Sequence, residues 1–356
     1  MTTPALKSGK EVLVTGARIA GLVSCVPSHD VGNEYFIDRF DQTGIDDVVK
    51  MIGVVKRRWV DSNTTTSDLC KAAGQRLLAG LAWEPETIDA LVFVSQTPDY
   101  RLPATACLLQ AEWGLSTSCI AFDVNLGCSG YPYALWLGMT MIQSGAATRV
   151  LLAVGDTVSK IVDPQDRSTA MLFGDAGTVT ALQASPDSQA RFILGTDGRG
   201  AHNLIVPQGG CRNTAENSDS RLAGKNLSSL YMDGGEIFNF TLRAVPSLVT
   251  RTMEFSGKSH ESYDAFLFHQ ANLFMLKHLI KKAKLPVERT PINIDDFGNT
   301  SSASIPLLMT TSLKTELAEK TMELAMFGFG VGYSWSSASI SVGPLDVVET
   351  IEQCAL

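Results

Sequence analysis

Three residues stand where a strand gives way to a helix, and each carries a group useful at a reacting carbonyl. Cys128 lies in Phe122-Asp123-Val124-Asn125-Leu126-Gly127-Cys128-Ser129-Gly130, which reads as strand, glycine turn and helix start. A thiol there faces the positive end of a helix dipole, which favours the thiolate, the nucleophilic form. The flanking glycines let the backbone approach an acyl carbonyl. A small buried hydrophobe is the competing reading of the same cysteine. His269 ends the apolar run Ala265 to Phe268 and opens His269-Gln270-Ala271-Asn272. Catalytic groups gather at such strand ends, although a helix-capping or satisfied core histidine fits the residue taken alone somewhat better. Asn299, in Gly298-Asn299-Thr300-Ser301, can donate to a developing oxyanion, or simply cap a helix. His29, His202, His260 and His278 lie in polar or loop contexts.

Other motifs are less telling. Gly328-Phe329-Gly330-Val331-Gly332 is neither a phosphate loop nor a dinucleotide fingerprint, and reads as a buried hairpin or an active-site floor. Phe173-Gly174-Asp175-Ala176-Gly177 reads as a turn into a strand. No paired-carboxylate or metal-ligand spacing stands out, so no metal is expected.

These residues need strands and helices in alternation to position them. β-Branched apolar runs predict strands at Glu11 to Val23, Ile88 to Gln96, Cys119 to Asn125, Arg149 to Thr157, Gly177 to Leu182, Asp264 to Phe268 and Pro291 to Ile294. Helices are predicted at Asp68 to Leu81, Gly130 to Gln143, Asn272 to Lys284 and Ala303 to Ala318, with a strand-rich end from Glu323 to Val342. The expected fold class is α/β with packed layers. Asp89-Ala90-Leu91-Val92-Phe93 matches Asp264-Ala265-Phe266-Leu267-Phe268, and Phe122-Asp123 leading to Gly127-Cys128-Ser129 resembles Ile294-Asp295 leading to Gly298-Asn299-Thr300-Ser301. The repeated order suggests two related halves. Pro207 to Gly224 reads as a surface loop.

Bulk properties exclude several classes. The 356 residues carry 29 Lys plus Arg against 37 Asp plus Glu, a net charge of −8. An acidic chain is not a dedicated nucleic-acid binder. Apolar residues make up 45% and charged ones 19%, which excludes a disordered chain and suggests hidden surface, as in an oligomer. Seven scattered cysteines without a C-x-x-C pair fit a reducing compartment. The first residues, Met1 to Lys7, lack an apolar core for a secretory signal. Val124 to Thr148 is uncharged, but Asn125, Ser129, Pro132, Gln143 and Ser144 interrupt it, so a helix between sheets is expected rather than a membrane span.

Together these stretches resemble the ketoacyl-acyl-carrier-protein synthase III family of the thiolase superfamily. The likeness runs from about residue 11 to 342. It rests on Gly53-Val54-Val55-Lys56-Arg57-Arg58, Thr97-Pro98-Asp99-Tyr100, Asp123 to Gly130, Asp163 to Ala170, Leu172-Phe173-Gly174-Asp175, Met232-Asp233-Gly234, His269 to Asn272 and Gly298 to Ser301. The resemblance implies a thiolase-like five-layered αβαβα fold of two duplicated βαβαβαββ halves, residues 1–186 with the cysteine and 187–356 with the histidine and asparagine. It implies a cytoplasmic homodimer that uses acyl-coenzyme A and acyl-carrier-protein thioesters as substrates and holds no tightly bound cofactor. Cys128 would take an acyl group; His269 and Asn299 would hold a malonyl thioester carbonyl during decarboxylation; the backbone N–H groups of Cys128 and Val331 would form the oxyanion hole. By the same likeness Arg167 and Asn272 would contact coenzyme A or phosphopantetheine, and Leu102 would reach into the partner subunit's acyl tunnel.

The departures concern the donor and the carrier. Asp46 to Ile52 lacks the Trp and Arg that often clamp adenine, Phe274 stands where a carrier-docking Arg is common, and Phe268 replaces a common Pro. They lean towards a specialised pathway over a housekeeping initiator. An acidic carrier would need a basic patch, and Lys277, Lys281 and Lys284, with Lys282 beside them, supply either that docking face or an ordinary solvated one. Alternative functions are a non-decarboxylating acyltransferase to an O, N or S acceptor and an inactive carrier-binding subunit. Hydroxymethylglutaryl-type or head-to-head condensation would call for a catalytic Glu motif that the N-terminal half lacks.

Overall fold

The computed structural model describes residues 9–212 and 219–353. In chain order the first part comprises β1 (Lys10–Pro27), β2 (Asp30–Gly32), α1 (Gln42–Ile52), β3 (Lys56–Arg58), α2 (Thr66–Leu81), β4 (Ala90–Val94), α3 (Thr105–Glu112), β5 (Ile120–Val124), α4 (Gly130–Gln143), β6 (Arg149–Thr157), α5 (Arg167–Ala170) and β7 (Asp175–Thr196). There follow β8 (Leu204–Ile205), β9 (Tyr231–Met232), α6 (Gly234–Ser256), β10 (Ala265–Phe268), α7 (Leu273–Ala283), α8 (Ile294–Phe297), α9 (Ser304–Ser312), α10 (Lys314–Glu319), β11 (Met322–Gly330), β12 (Ser334–Val342) and β13 (Val348–Gln353).

The main sheet runs β10-β11-β12-β7-β6-β4-β5, with β1 also against β7 and β13 against β1. β7 joins its two parts: Asp175 to Gln183 pairs with β6, and Ala190 to Thr196 pairs with β12. Side-chain alternation along the strands produces the layers. Val92 and Val94 of β4 pack with Val150, Leu152 and Val154 of β6 against α4 and α9, and Leu324 and Met326 of β11 join the same core. Leu91 and Phe93 face α2 and α3 instead. Ala325, Phe327 and Phe329 face α6 and α7. Helix, sheet, helix, sheet and helix therefore stack as five layers, the αβαβα order expected. α4 is uncharged because it lies in the middle layer, and among the described residues no helix is long and apolar enough to cross a membrane.

Several boundaries differ from the sequence reading. The expected strand Pro291 to Ile294 is absent: Pro291 to Asn293 is irregular and α8 starts at Ile294. The Asn293 N–H there donates to Gln270 Oε1 at 3.2 Å, a side-chain partner in place of a ladder. The single helix expected from Ala303 to Ala318 is two, α9 and α10, broken at Leu313, whose backbone leaves the helical region at φ −119° and ψ 12°. β7 far outruns Gly177 to Leu182, since its polar middle, Gln183 to Gln189, has no strand-like pattern, while the stretch beyond it is held by pairing to β1 and β12. The expected boundary at 186/187 falls inside β7. Residues 213–218 of the expected loop, Cys354 and the first eight residues lie outside the described residues.

Candidate active site

Cys128 sits between the end of β5 and the start of α4, in a turn closed by Gly130 N–H donating to Gly127 O at 2.6 Å. The turn lies hard against the β11–β12 hairpin. A Cβ on Gly330 would stand 2.6 Å from Cys128 Cβ and 3.0 Å from its Sγ, and one on Gly328 would stand 2.9 Å from Ser129 Cα. The glycines of the 328–332 run thus let the Cys128 turn dock on a buried hairpin. Serines fasten the two pieces: Ser129 Oγ and Ser334 Oγ are 2.6 Å apart, and Ser336 Oγ donates to Ser129 O at 2.8 Å.

The electrostatics of the thiol run against the sequence reading. Burial pushes the Cys128 pKa up to about 12, and the negative charge of Asp156 adds to the rise. The Ser301 hydroxyl, with its Oγ 3.9 Å from Sγ, and the backbone amides of Cys128 and Val331 oppose it without prevailing. The expected helix-end stabilisation of a thiolate does not win; the resting cysteine is a neutral thiol. Those same two amides flank the sulfur, where a developing oxyanion would form.

His269 leaves the end of β10 and is 2% exposed; its backbone N–H donates to Phe327 O of β11 at 2.9 Å. Burial depresses the imidazole pKa to about 3, so the ring is neutral throughout the physiological range. Its Nδ1 is 2.8 Å from Ser304 Oγ, whose single proton can point either to that nitrogen or to Ser301 O, 2.9 Å away. Asn299, 5% exposed, is pinned by its backbone: its N–H donates to Leu172 O at 2.9 Å, and its C=O accepts from Gly174 N–H at 3.1 Å. Its Oδ1 accepts from Ser301 N–H at 2.9 Å, and its Nδ2 donates to Ala271 O at 3.3 Å, which turns the amide towards the segment after His269.

Cys128, His269 and Asn299 all line one cavity of about 430 Å³. Leu204, Val206, Leu230, Met232, Ile237 and Met275 form an apolar wall, while Gln96, Thr97, Asn125 and Asp156 supply polar groups at the ends of β4, β5 and β6. Asn272 and Val331 also line it. Asn272 caps α7, its Oδ1 accepting from Met275 N–H at 2.7 Å. Arg167 stands outside the lining, at the start of α5, with a guanidinium nitrogen only 2.2 Å from where a Cβ on Gly44 would be. Leu102 is 82% exposed and does not line this chain's own cavity. Lys277 and Lys281 are exposed on α7, whereas Lys282 Nζ donates to Leu242 O of α6 at 2.9 Å. Phe274 packs with Phe238 and His278, at ring distances of 5.6 and 4.3 Å. Among the described residues no cluster of three His, Cys, Asp or Glu could hold a metal ion.

Sequence reasoning passed over three supporting residues. Asp156, 1% exposed, accepts from Gln96 N–H at 2.6 Å and Ser95 Oγ at 3.1 Å through Oδ1, and from Ser302 Oγ at 2.7 Å and Ser302 N–H at 3.2 Å through Oδ2. It joins the β4 end to the loop that carries Asn299. A lone charge ending the apolar run Val150 to Val154 was the available signal. Ser304 orients His269, and nothing in its local sequence distinguishes it. Arg57, fully buried, donates to Val31 O, Asn33 Oδ1 and Met171 O at 3.0, 2.7 and 2.7 Å, behind the Gly174 and Gly298 turns that hold Asn299.

The chain is similar to known proteins over most of its length. The family described as 3-oxoacyl-[acyl-carrier-protein] synthase III matches residues 122–198, and its C-terminal counterpart matches residues 253–342. A protein of Campylobacter jejuni named putative 3-oxoacyl-[acyl-carrier-protein] synthase 3 is 34% identical over 335 residues, 91% of this chain and 94% of its own length. A β-ketoacyl-[acyl-carrier-protein] synthase III of Caldanaerobacter subterraneus is 32% identical, covering 91% of this chain and 97% of its own. The crystal structure of a 3-oxoacyl-(acyl-carrier protein) synthase from Burkholderia xenovorans LB400 superposes with a TM-score of 0.96 at 65% identity, over 97% of this chain and 99% of that one.

Proposed function

We propose that this chain, which belongs to the 3-oxoacyl-[acyl-carrier-protein] synthase III family, is a condensing acyltransferase that joins a cysteine-bound acyl group to a malonyl thioester with loss of carbon dioxide. The observation that carries the reading is the convergence of a thiol with two neutral hydrogen-bonding side chains, His269 and Asn299, in one cavity. In the first half-reaction the Cys128 sulfur attacks the donor thioester carbonyl, the carbon–sulfur bond to coenzyme A or the carrier breaks, and the thiol proton leaves with that thiolate. The amides of Cys128 and Val331 stabilise the tetrahedral oxyanion. In the second, decarboxylation of the malonyl thioester places negative charge on its carbonyl oxygen. His269 and Asn299 donate to that oxygen, and the enolate carbon attacks the acyl-cysteine and releases Cys128.

A neutral donor suits this role. For Nε2–H of His269 to donate, Nδ1 must accept, and the Ser304 hydroxyl supplies that proton when it is turned from Ser301 O towards the ring. Arg167 and Asn272 are proposed to hold coenzyme A or phosphopantetheine, and Lys277 and Lys281 an acidic carrier; Lys282 is less free to take part. We further propose a cytoplasmic homodimer in which Leu102 enters the partner's acyl site. Its exposure and the open edge of the terminal strand β5 support this. The two halves, 1–186 and 187–356, then contribute the nucleophile and the donors respectively. The departures at 46–52 and at Phe274 support a specialised pathway.

The test is intact-mass analysis after incubation with acyl-coenzyme A and acyl-carrier donors, followed by malonyl-carrier. The expected result is an adduct on Cys128 and carbon dioxide release. No adduct with any donor overturns the reading; an adduct without malonyl decarboxylation points to simple acyl transfer.

A further inference from the structure

The end of the cavity beside Cys128 is polar where a plain alkyl chain would want apolar walls. Gln96 follows β4 and Asn125 follows β5, two adjacent parallel strands, so their side chains meet at the carboxyl ends of the pair. Gln96 Nε2 donates to Asn125 Oδ1 at 3.3 Å. That bond leaves one acceptor, Gln96 Oε1, and one donor, Asn125 Nδ2, without a protein partner among the described residues. The other polar groups at this end are already engaged. Thr97 Oγ1 lies 2.8 Å from Thr66 Oγ1 and accepts from Thr157 N–H at 2.9 Å, and both oxygens of Asp156 are taken.

The amide pair is positioned in advance. The Gln96 backbone is held by Asp156, and its side chain occupies the space over Gly127, where a Cβ would stand only 2.3 Å from Oε1. Gly127 is the residue before the nucleophile, one Cα step of ~3.8 Å away. Both amides line the cavity that holds Cys128 and are exposed where it meets the surface.

Resting on the condensing-enzyme reading, we propose that Gln96 and Asn125 form a polar acyl subsite that selects donors bearing a hydroxyl within the first few carbons of the acyl chain. A hydroxyl both donates and accepts, so it can give its proton to Gln96 Oε1 and accept from Asn125 Nδ2. An alkyl chain at the same place strips both amides of water and returns nothing, which is how a site built to hydrogen-bond a substrate rejects the analogue lacking the group.

The test compares rates of Cys128 acylation, read by intact mass, with butanoyl-, 3-hydroxybutanoyl- and 4-hydroxybutanoyl-coenzyme A. One of the hydroxylated donors should load at least about tenfold faster than butanoyl, the weight of about one net hydrogen bond. In the double variant Gln96→Leu, Asn125→Leu the order should invert, with hydroxyacyl loading slower and butanoyl loading faster than in the unaltered protein. Equal rates for all three donors, or a preference that survives the double substitution, overturn the subsite while leaving the condensing reaction intact. Loading by none of these donors, nor by any other acyl thioester, is instead the failure of the condensing-enzyme reading itself.

Discussion

The titration of Cys128 distinguishes two kinds of cysteine enzyme. A thiol at its ordinary value of 9.0 is about 1% ionised at pH 7, whereas one raised to about 12 is ionised only about once in 10⁵ molecules. The thiolate population thus falls by about a thousandfold. Because nucleophilicity rises with basicity, with a Brønsted slope of about 0.4–0.5, roughly half of that loss in rate is recovered on a logarithmic scale. What survives is the pH dependence. His269, depressed to about 3, has no proton to exchange near neutrality, so no thiolate–imidazolium pair forms and no inflection is expected at pH 6–7. The logarithm of the rate of Cys128 alkylation by iodoacetamide should climb with unit slope from about pH 6 to pH 10. Mass mapping of the modified peptides measures it, with the exposed thiols of Cys107 and Cys211 as reporters in the same sample. A plateau below pH 9 for Cys128 would show a thiolate stabilised in the resting enzyme, and the account of burial and Asp156 charge outweighing the nearby amides would be wrong.

Three other perturbations separate the roles further. Ser304→Ala removes the proton offered to His269 Nδ1 at 2.8 Å and should lower the condensation rate by about tenfold or more while slowing acyl loading much less; equal effects on both steps would deny the positioning role. Gly330→Ala drives a Cβ to 2.6 Å from Cys128 Cβ, so single-turnover acylation should fall by about 100-fold with the fold intact by circular dichroism. His269 binds a proton in the unfolded chain below its ordinary 6.5 but not in the native state until about 3, so its contribution to stability is present above 6.5 and is lost as pH falls. Between pH 7 and pH 5 the unaltered protein should lose about 2 kcal/mol more unfolding free energy than His269→Gln, measured by denaturant titration; parallel losses would contradict a buried neutral ring.

What could be read in the sequence was local. Cys128, His269 and Asn299 each sit at a junction whose strand, turn and helix signals lie within a few residues, and the structure brings the three into one cavity. The strand and helix boundaries around Cys128 and His269 fall close to where the patterns put them. What could not be read depends on distant partners. The thiol is raised by burial under a hairpin that comes much later in the chain, and Asp156 acquires its role by meeting Ser302, 146 residues on. The polar middle of β7, Gln183 to Gln189, carries no strand signal, and the stretch beyond it is held by pairing to both β1 and β12. Pro291 to Ile294 carried strand-like residues, but the side chain of Gln270 takes the backbone group a ladder would have used.

The resting site therefore holds almost no charge at the reacting atoms. The thiol and the imidazole are both neutral, Asn299 is neutral by nature, and Asp156, though its pKa is raised by burial, has its oxygens occupied by hydrogen-bond donors. In such a place an added negative charge interacts strongly with any donor aimed at it, since little water or counter-charge screens the pair. A resident imidazolium would bind the malonyl carboxylate and hold back the carbon dioxide that must leave. A neutral N–H gains most when charge moves from that carboxylate to the thioester oxygen, so it favours the transition state over the bound substrate. In the proposed mechanism burial of His269 is part of the chemistry: the same desolvation that depresses its pKa to about 3 keeps it from becoming a cation that would hold the substrate in its ground state.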